Sequence, residues 1–310
     1  MNAVLVANPF ARGLRRGGAV AQIEARLRAA GLRRLQCIVE PEPRRAAERL
    51  HHALREESPE ETRVIVAGGD GTIRAALPAF AERGFPMAIL PVGTLNVMAW
   101  ELGVPRRLEE ALAVAVRGRP RGVDICSANG QLFADMAGVG YDAAIVHSIV
   151  PAVGKTRLGY FGYIARALGL LARYRPSRFR IITESATLET EAWVGVVANT
   201  AHYAYHWQVS PRAVVDDGWL DLCLFQSASV TQTAGQVAAL LANRHASYPG
   251  VLHVRARRFR IETDPPAHLQ LDGDPVAQTP VDITMIPRAL TVLVPHPPHR
   301  AAAARLPSPA

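Results

Sequence analysis

Four short apolar runs in the first third of the chain, each followed by a helical stretch, restrict the architectures open to it. Residues 3–7 (AVLVA), 35–39 (LQCIV), 63–67 (RVIVA) and 87–90 (MAIL) have the length and branching of strands. Helical stretches near 19–30 and 44–55, a third reaching about residue 81, and a fourth after residue 96 alternate with them. Strands separated by helices of this length predict a parallel, doubly wound α/β sheet. In such sheets ligands bind beyond the carboxyl ends of the strands. The glycine-containing loops after the third and fourth runs fall at that edge.

The pattern changes near Asp124. Asn129-Gly130 between two apolar segments is a hairpin signal, and strand-like runs follow at 178–183, 192–198, 219–225, 257–262, 268–272 and 281–287. Consecutive strands predict an antiparallel, sandwich-like second domain, interrupted by one helical insertion at 155–174. The reading is therefore α/β plus all-β: residues 1–124 form the first domain and 125–288 the second. A last run at 289–295 is open to return to the first domain, which the sequence leaves undecided. The Pro- and Ala-rich tail, 296–310, is expected to be disordered.

Composition excludes several classes. No run of 18 or more uncharged apolar residues occurs, so no transmembrane helix is predicted. No basic region precedes the first apolar run, so no secretory signal is expected. Cys37, Cys126 and Cys223 lie far apart without a CxxC pair, which argues against zinc and a disulfide framework and fits a reducing cytoplasm. The formal charge of +8 suits nucleotide, nucleic acid or anionic lipid as well as a plain solvated surface. Charge alone does not choose among them.

The chemistry concentrates in the loops. Gly68-Gly69-Asp70-Gly71-Thr72 lies between a β-branched strand and a helix, the context a phosphate loop needs. Glycines let backbone N–H groups approach phosphate, and the helix N-terminus adds a positive dipole end. Thr72 offers a hydroxyl, and Asp70 is suited to orient Mg²⁺ or the ribose-phosphate region. The bland alternative is a tight turn with Asp70 as helix cap. Five specified residues in this context favour phosphate. The spacing is neither a Walker A loop nor GxGxxG. Gly93-Thr94-Leu95-Asn96 repeats the arrangement after the fourth strand, and Asn8-Pro9 follows the first, making three such loops at one edge.

Together these residues resemble the diacylglycerol kinase catalytic-domain family, which includes bacterial lipid kinases and has sphingosine and ceramide kinases as cousins. The matches are Asn8-Pro9, GGDGT at 68–72, PVGTLN at 91–96, VDICSANGQLF at 123–133, PRAVVDDGWLD at 211–221 and LDGDP at 271–275. The GGDGT element alone is shared with NAD kinases and phosphofructokinases. The other elements in this order specify the lipid-kinase family.

The resemblance implies a first domain of NAD kinase/phosphofructokinase type and a β-rich lipid-acceptor second domain, with the active site in the cleft between them. ATP would sit on the loop from Gly68 to Thr72 and on Thr94, with Asn8, Gly93 and Asn96 alongside. Asp272 would accept the proton of the lipid hydroxyl, although Asp272-Gly273 alone reads as a hairpin turn. A structural Mg²⁺ would be held by Asp217 and the carbonyls of Val214 and Trp219. Asp274 stands where the family usually has Glu, Val97 where it often has Asp, and Phe10-Ala11 where it has Ser-Gly. Asp70 or Asp124 would then serve the metal–ATP network, with Arg12, Arg15 and Arg16 available to phosphate.

Two segments suit a lipid partner. The 155–174 stretch mixes Leu158, Tyr160, Phe161 and Ile164 with Lys155, Arg157, Arg166 and Arg173, as an interfacial helix or a buried one would. His202, Tyr203, Tyr205, His206 and Trp207 form an aromatic cluster read as a wall of the acceptor cleft. The expected protein is an ATP- and Mg²⁺-dependent lipid kinase with diacylglycerol as default acceptor, cytoplasmic and peripherally membrane-associated, its oligomeric state open. The rivals are an NAD kinase-like phosphotransferase and a catalytically degenerate lipid- or nucleotide-binding protein.

Overall fold

The computed structural model describes residues 1–149, 169, 174–204, 207–226 and 229–296. The chain divides into two compact units, Met1–Asp124 with Pro287–Ala310, and Ile125–Ile286.

The first unit is built on parallel strands β1 (Asn2–Ala7), β2 (Arg34–Val39), β3 (Thr62–Gly68) and β4 (Met87–Pro91), in the order β2-β1-β3-β4. The last strand of the chain adds beyond β4, with Val292 opposite Met87 in parallel register. β3 and β4 are buried almost end to end, as strands in the middle of a parallel sheet must be when both faces are covered. The covering helices are α1 (Ala19–Ala29), α2 (Pro43–Ala53), α3 (Asp70–Phe80), the short α4 (Val97–Glu101) and α5 (Leu108–Arg117). α1 packs with α5, and α2 with α3. β1 lies between β2 and β3, so the loops leaving β1 and β3 part company there. That is the switch point at which doubly wound sheets bind ligands.

In the second unit β5 (Arg119–Ala128), which starts in the first, turns at Asn129-Gly130 into β6 (Gln131–Phe133). Both turn residues have positive φ, as the predicted hairpin requires. The strands then run β7 (Met136–Gly140), β8 (Ser177–Ile182), β9 (Thr187–Ala192), β10 (Val194–Ala198), β11 (His202–Ala204), β12 (Trp207–Gln208), β13 (Leu220–Phe225), β14 (Val251–Ala256), β15 (Arg258–Asp264), β16 (His268–Leu271), β17 (Asp274–Gln278) and β18 (Val281–Val294). One antiparallel layer is β18-β15-β8-β9; the other is β14-β13-β10-β7-β16-β17. Phe179, Phe259, Ile261 and Ile283 from the first layer share a core with Val139, Val197, Leu222 and Leu269 from the second. This is the predicted antiparallel sandwich.

The structure corrects the sequence reading in three places. Residues 281–287 and 289–294 are one strand, β18, because Arg288 turns the backbone through positive φ without ending the ladder. The second unit contains helices that the strand pattern concealed, α6 (Tyr141–Ile149) and α7 (Val230–Leu241). α7 starts at Ser229, whose hydroxyl accepts the Gln232 N–H at 3.2 Å, an N-cap legible only once the preceding strand is placed. β9 and β17 carry too many charged and small residues for an apolar-run criterion to find. The helix expected at 155–174 and the tail expected at 296–310 fall almost wholly outside the described residues, as do Tyr205 and His206.

Candidate active site

Register brings three loops of the first unit together. Ala7 pairs with Ala67, and Gly68 with Pro91, so Asn8, Gly69 and Val92 leave the sheet side by side. The Asn8 side chain accepts the Phe10 N–H at 2.9 Å, closing an Asx turn that starts the first loop. Gly13 then donates to the Val92 carbonyl at 2.9 Å and ties that loop to the third. Arg12 is exposed, within a short 3₁₀ turn (Arg12–Leu14).

The second and third loops touch backbone to backbone. Gly93 N–H donates to the Gly68 carbonyl at 3.2 Å. A Cβ on Gly93 would lie 2.4 Å from the Gly69 Cα, and one on Gly68 would lie 2.3 Å from the Thr72 hydroxyl. Only glycine fits at either position. The loop Gly68-Gly69-Asp70-Gly71-Thr72 runs into α3, with Gly69 as its N-cap, so the first-turn amides face the carboxyl edge of the sheet. Thr94 is exposed above it.

Three of the residues read as ligand or metal-network candidates also make hydrogen bonds within the protein. Asn96 is buried at φ +55°; its amide oxygen accepts the Gly93 N–H at 3.0 Å, and its amide nitrogen donates to the Pro91 and Gly93 carbonyls, both at 3.2 Å. It shapes the loop from inside, because a residue forced into the left-handed region can brace its own turn in this way. Asp70 is half-buried with its carboxyl turned inward, where it accepts the Met98 N–H at 3.3 Å and caps α4. Burial raises the Asp70 pKa, against the pull of the α4 amides. Asp124, fully buried, accepts the Arg288 N–H at 2.7 Å and pins the positive-φ residue of β18. Its position is that of an anchor.

In the second unit Asp272-Gly273 is a two-residue turn between β16 and β17, with φ of +49° and +84°. Its geometry is the ordinary Asp-Gly hairpin. Its carboxylate is not ordinary: it accepts N–H bonds from Ala134 at 2.8 Å, Asp135 at 2.9 Å and Met136 at 3.0 Å. Asp274 opens β17, paired with Leu271. Behind the turn lies a network that sequence reading missed. Gly273 N–H donates to the Gln270 side chain at 2.7 Å, Gln270 donates to Asp142 at 2.9 Å, and the Tyr203 hydroxyl donates to the other Asp142 oxygen. Asp142 is buried, and burial pushes its carboxyl up despite both donors. A Cβ on Gly138 would lie 2.0 Å from Asp142, so the glycine makes room for the carboxylate. The available signal was a polar Gln270 between two leucines, just before the Asp-Gly turn. Of the aromatic cluster, Tyr203 belongs to this network, while the His202 ring meets the Gln208 amide at 3.2 Å.

The magnesium expected on Asp217, Val214 and Trp219 does not fit the donors as they stand. One Asp217 oxygen accepts the Trp219 N–H at 3.1 Å, and the other accepts from the Arg255 guanidinium. The Val214 carbonyl takes the Asp217 N–H at 3.4 Å. A guanidinium in contact with the sole carboxylate ligand opposes a divalent ion there.

Comparison with known proteins agrees with this architecture. Residues 2–128 match the family described as diacylglycerol kinase catalytic domain, and residues 136–294 match the YegS C-terminal NAD kinase beta sandwich-like domain. A protein of Enterobacter sp. (strain 638) named "Probable lipid kinase YegS-like" is 32% identical over 237 residues, covering 75% of this chain and 78% of that protein. The diacylglycerol kinase of Bacillus subtilis (strain 168) is 27% identical over 248 residues, 79% of this chain and 82% of its own. A diacylglycerol kinase crystal structure from Bacillus anthracis str. Sterne superposes with a TM-score of 0.70 at 21% identity, over 96% of this chain and 98% of that one. A second solved chain from that organism reaches a TM-score of 0.80 at 24% identity, covering 96% of each chain. At those identities the structures bear on fold alone; the sequence matches carry the assignment. The chain belongs to the family of diacylglycerol kinases and YegS-like lipid kinases.

Proposed function

We propose that this protein is an ATP-dependent lipid kinase that transfers the γ-phosphate to a lipid hydroxyl, with diacylglycerol as the acceptor and phosphatidic acid as the product. The observation that carries the reading is the meeting of three loops at the β1/β3 switch point, two of them in contact that only glycine permits. ATP phosphates would lie on Gly68, Gly69, Gly71 and Thr72 at the start of α3, with Thr94 opposite and Asn8, Asp70, Gly93 and Asn96 holding the loops in shape. The Arg12 side chain is available to neutralise phosphate charge. Magnesium would arrive with ATP and shield the charge that shifts from the γ-phosphate to the leaving ADP.

Asp272 is the residue we assign to the acceptor's proton. The lipid oxygen attacks the γ-phosphorus, the bond to the β-phosphate oxygen breaks, ADP leaves, and the hydroxyl proton passes to the carboxylate. Three backbone N–H groups hold that carboxylate in one orientation, which is the main service a base must provide in phosphoryl transfer. We assign a peripheral encounter with the lipid surface at the cytoplasmic face; among the described residues no helix is long and apolar enough to cross a membrane.

The test is transfer of labelled γ-phosphate from ATP to mixed micelles of diacylglycerol, monoacylglycerol, ceramide, a sphingoid base and phosphatidylglycerol. Labelled phosphatidic acid is the expected product. Label on another lipid would replace the acceptor and keep the class. Label on NAD, or on nothing despite ATP binding, would overturn the reading in favour of an NAD kinase-like or degenerate protein.

A further inference from the structure

We infer that Arg255 serves as the cation of the 211–221 loop in this chain, in the place the resemblance reserves for a structural divalent ion. Backbone pairing, and not a chance rotamer, brings it there. β13 and β14 are antiparallel with Asp221 directly opposite Arg255, so both side chains emerge on one face next to the loop that precedes β13. The Arg255 guanidinium donates to Asp217 and lies 3.9 Å, through Nε, from Asp221. It also lies 5.6 Å from the centre of the Trp219 ring, with Arg257 at 4.7 Å from the same ring. One side chain thus reaches both carboxylates and the aromatic residue between them.

Other contacts of the loop run within it. The Asp217 carboxylate caps its own turn through the Trp219 N–H at 3.1 Å, and Gly218 supplies the positive φ that the turn requires. The buried Asp221 carboxylate faces Arg255 across the strand pair, with Nε 3.9 Å away. An arginine is suited to this duty because its planar fork satisfies carboxylates by hydrogen bonds and retains its charge at any working pH. A divalent ion at Asp217 would have to displace the guanidinium and would then sit beside it, at a cost set by the like charges.

The consequence is a loop whose order does not depend on magnesium, even if catalysis requires magnesium on ATP. The inference rests on the family assignment, not on the kinase reading, and its test contains neither nucleotide nor lipid. Thermal unfolding of the full chain would be followed in EDTA and in millimolar MgCl₂ at matched ionic strength, for wild type, Asp217→Asn, Arg255→Met and the double variant. Wild type and Asp217→Asn should respond equally to magnesium. Arg255→Met, which keeps the apolar stem and removes the charge, should gain a magnesium-dependent rise of about 2 °C or more that the double variant loses. A magnesium response of wild type that Asp217→Asn removes would overturn the inference, and so would an Arg255→Met response no larger than wild type. Were Arg255→Met not to fold, the isosteric Asp217→Asn comparison decides alone. Loss of kinase activity in any of these variants leaves the outcome of this test unchanged.

Discussion

At the scale of single residues, the first loop system is defined by what has no side chain. Gly93 meets the Gly69 Cα at a distance no Cβ can share, and neither partner is the movable end of a flexible side chain. Gly93→Ala must therefore push one glycine loop off the other. We expect a loss of about 1–3 kcal/mol in stability, together with at least tenfold weaker ATP binding, read by thermal unfolding and by equilibrium binding of the nucleotide. Unaltered affinity would remove these loops from the ATP site. Asp142 makes a second prediction, in pH. Its carboxyl is raised above the ordinary 3.8 by burial, so above that value the folded chain holds the proton more tightly than the unfolded one. The stabilisation linked to that proton is complete below 3.8 and fades as pH rises through the folded-state value. Wild type should accordingly gain stability relative to Asp142→Asn as the pH is lowered from neutral toward 3.8. A difference in Tm that stays constant over that range would contradict the assignment.

Legibility in the sequence also divides at this scale. The glycine loops could be read because a phosphate loop needs small residues in consecutive order beside a strand and a helix. The duties of Asn96 and Asp124 could not, since their partners, Pro91 and Gly93 in one case and Arg288 in the other, are fixed only by the folded backbone. Asp142 was invisible for the same reason: Gln270 lies 128 positions away along the chain.

Among the elements, the two layers of the second unit are joined by large side chains alternating along short strands. β8 buries Ser177, Phe179 and Ile181 and exposes Arg178 and Arg180, and β15 buries Phe259 and Ile261 and exposes Arg258 and Arg260. Phe179 is fully buried at the centre of that core. Phe179→Ala should cost about 3–5 kcal/mol, measured by denaturant unfolding; a cost under about 1 kcal/mol would mean that the layers are not packed as described. The outward residues pair across strands, Arg178 with Glu189, Arg180 with Glu189 and Glu262, and Arg260 with Asp282, while Arg260 also meets Glu262 along its own strand. Such exposed pairs add little stability, but they charge the layer that ends in β9 and discourage strand addition there. This alternation made β8 and β15 readable in advance. β9, with glutamates at two of six positions, and β17, which begins Asp-Pro, are strands by virtue of their neighbours and carry no such signature.

For the whole molecule, the order of elements along the chain was the most legible feature, because the strand–helix alternation of the first third and the run of strands after Asp124 follow from hydrophobic period alone. The family assignment rests on motifs spread through both parts, and the relatives it matches are themselves covered over most of their length. Two groups carry the proposed activity, the ATP loops of the first unit and Asp272 in the second, and they make separable demands on any variant.

The measurement that bears most directly on the account is therefore a paired one on Asp272→Asn: equilibrium ATP binding and transfer of labelled γ-phosphate to diacylglycerol micelles, each beside wild type. Asparagine keeps one oxygen for the Asp135 and Met136 N–H groups, sets its amide nitrogen against the Ala134 N–H, and cannot take the proton. The account predicts ATP affinity within about twofold of wild type and transfer reduced by a factor of about 10²–10⁴, the span expected for loss of a general base. Transfer within tenfold of wild type would contradict it, and the proton of the lipid hydroxyl would then have to go to another group.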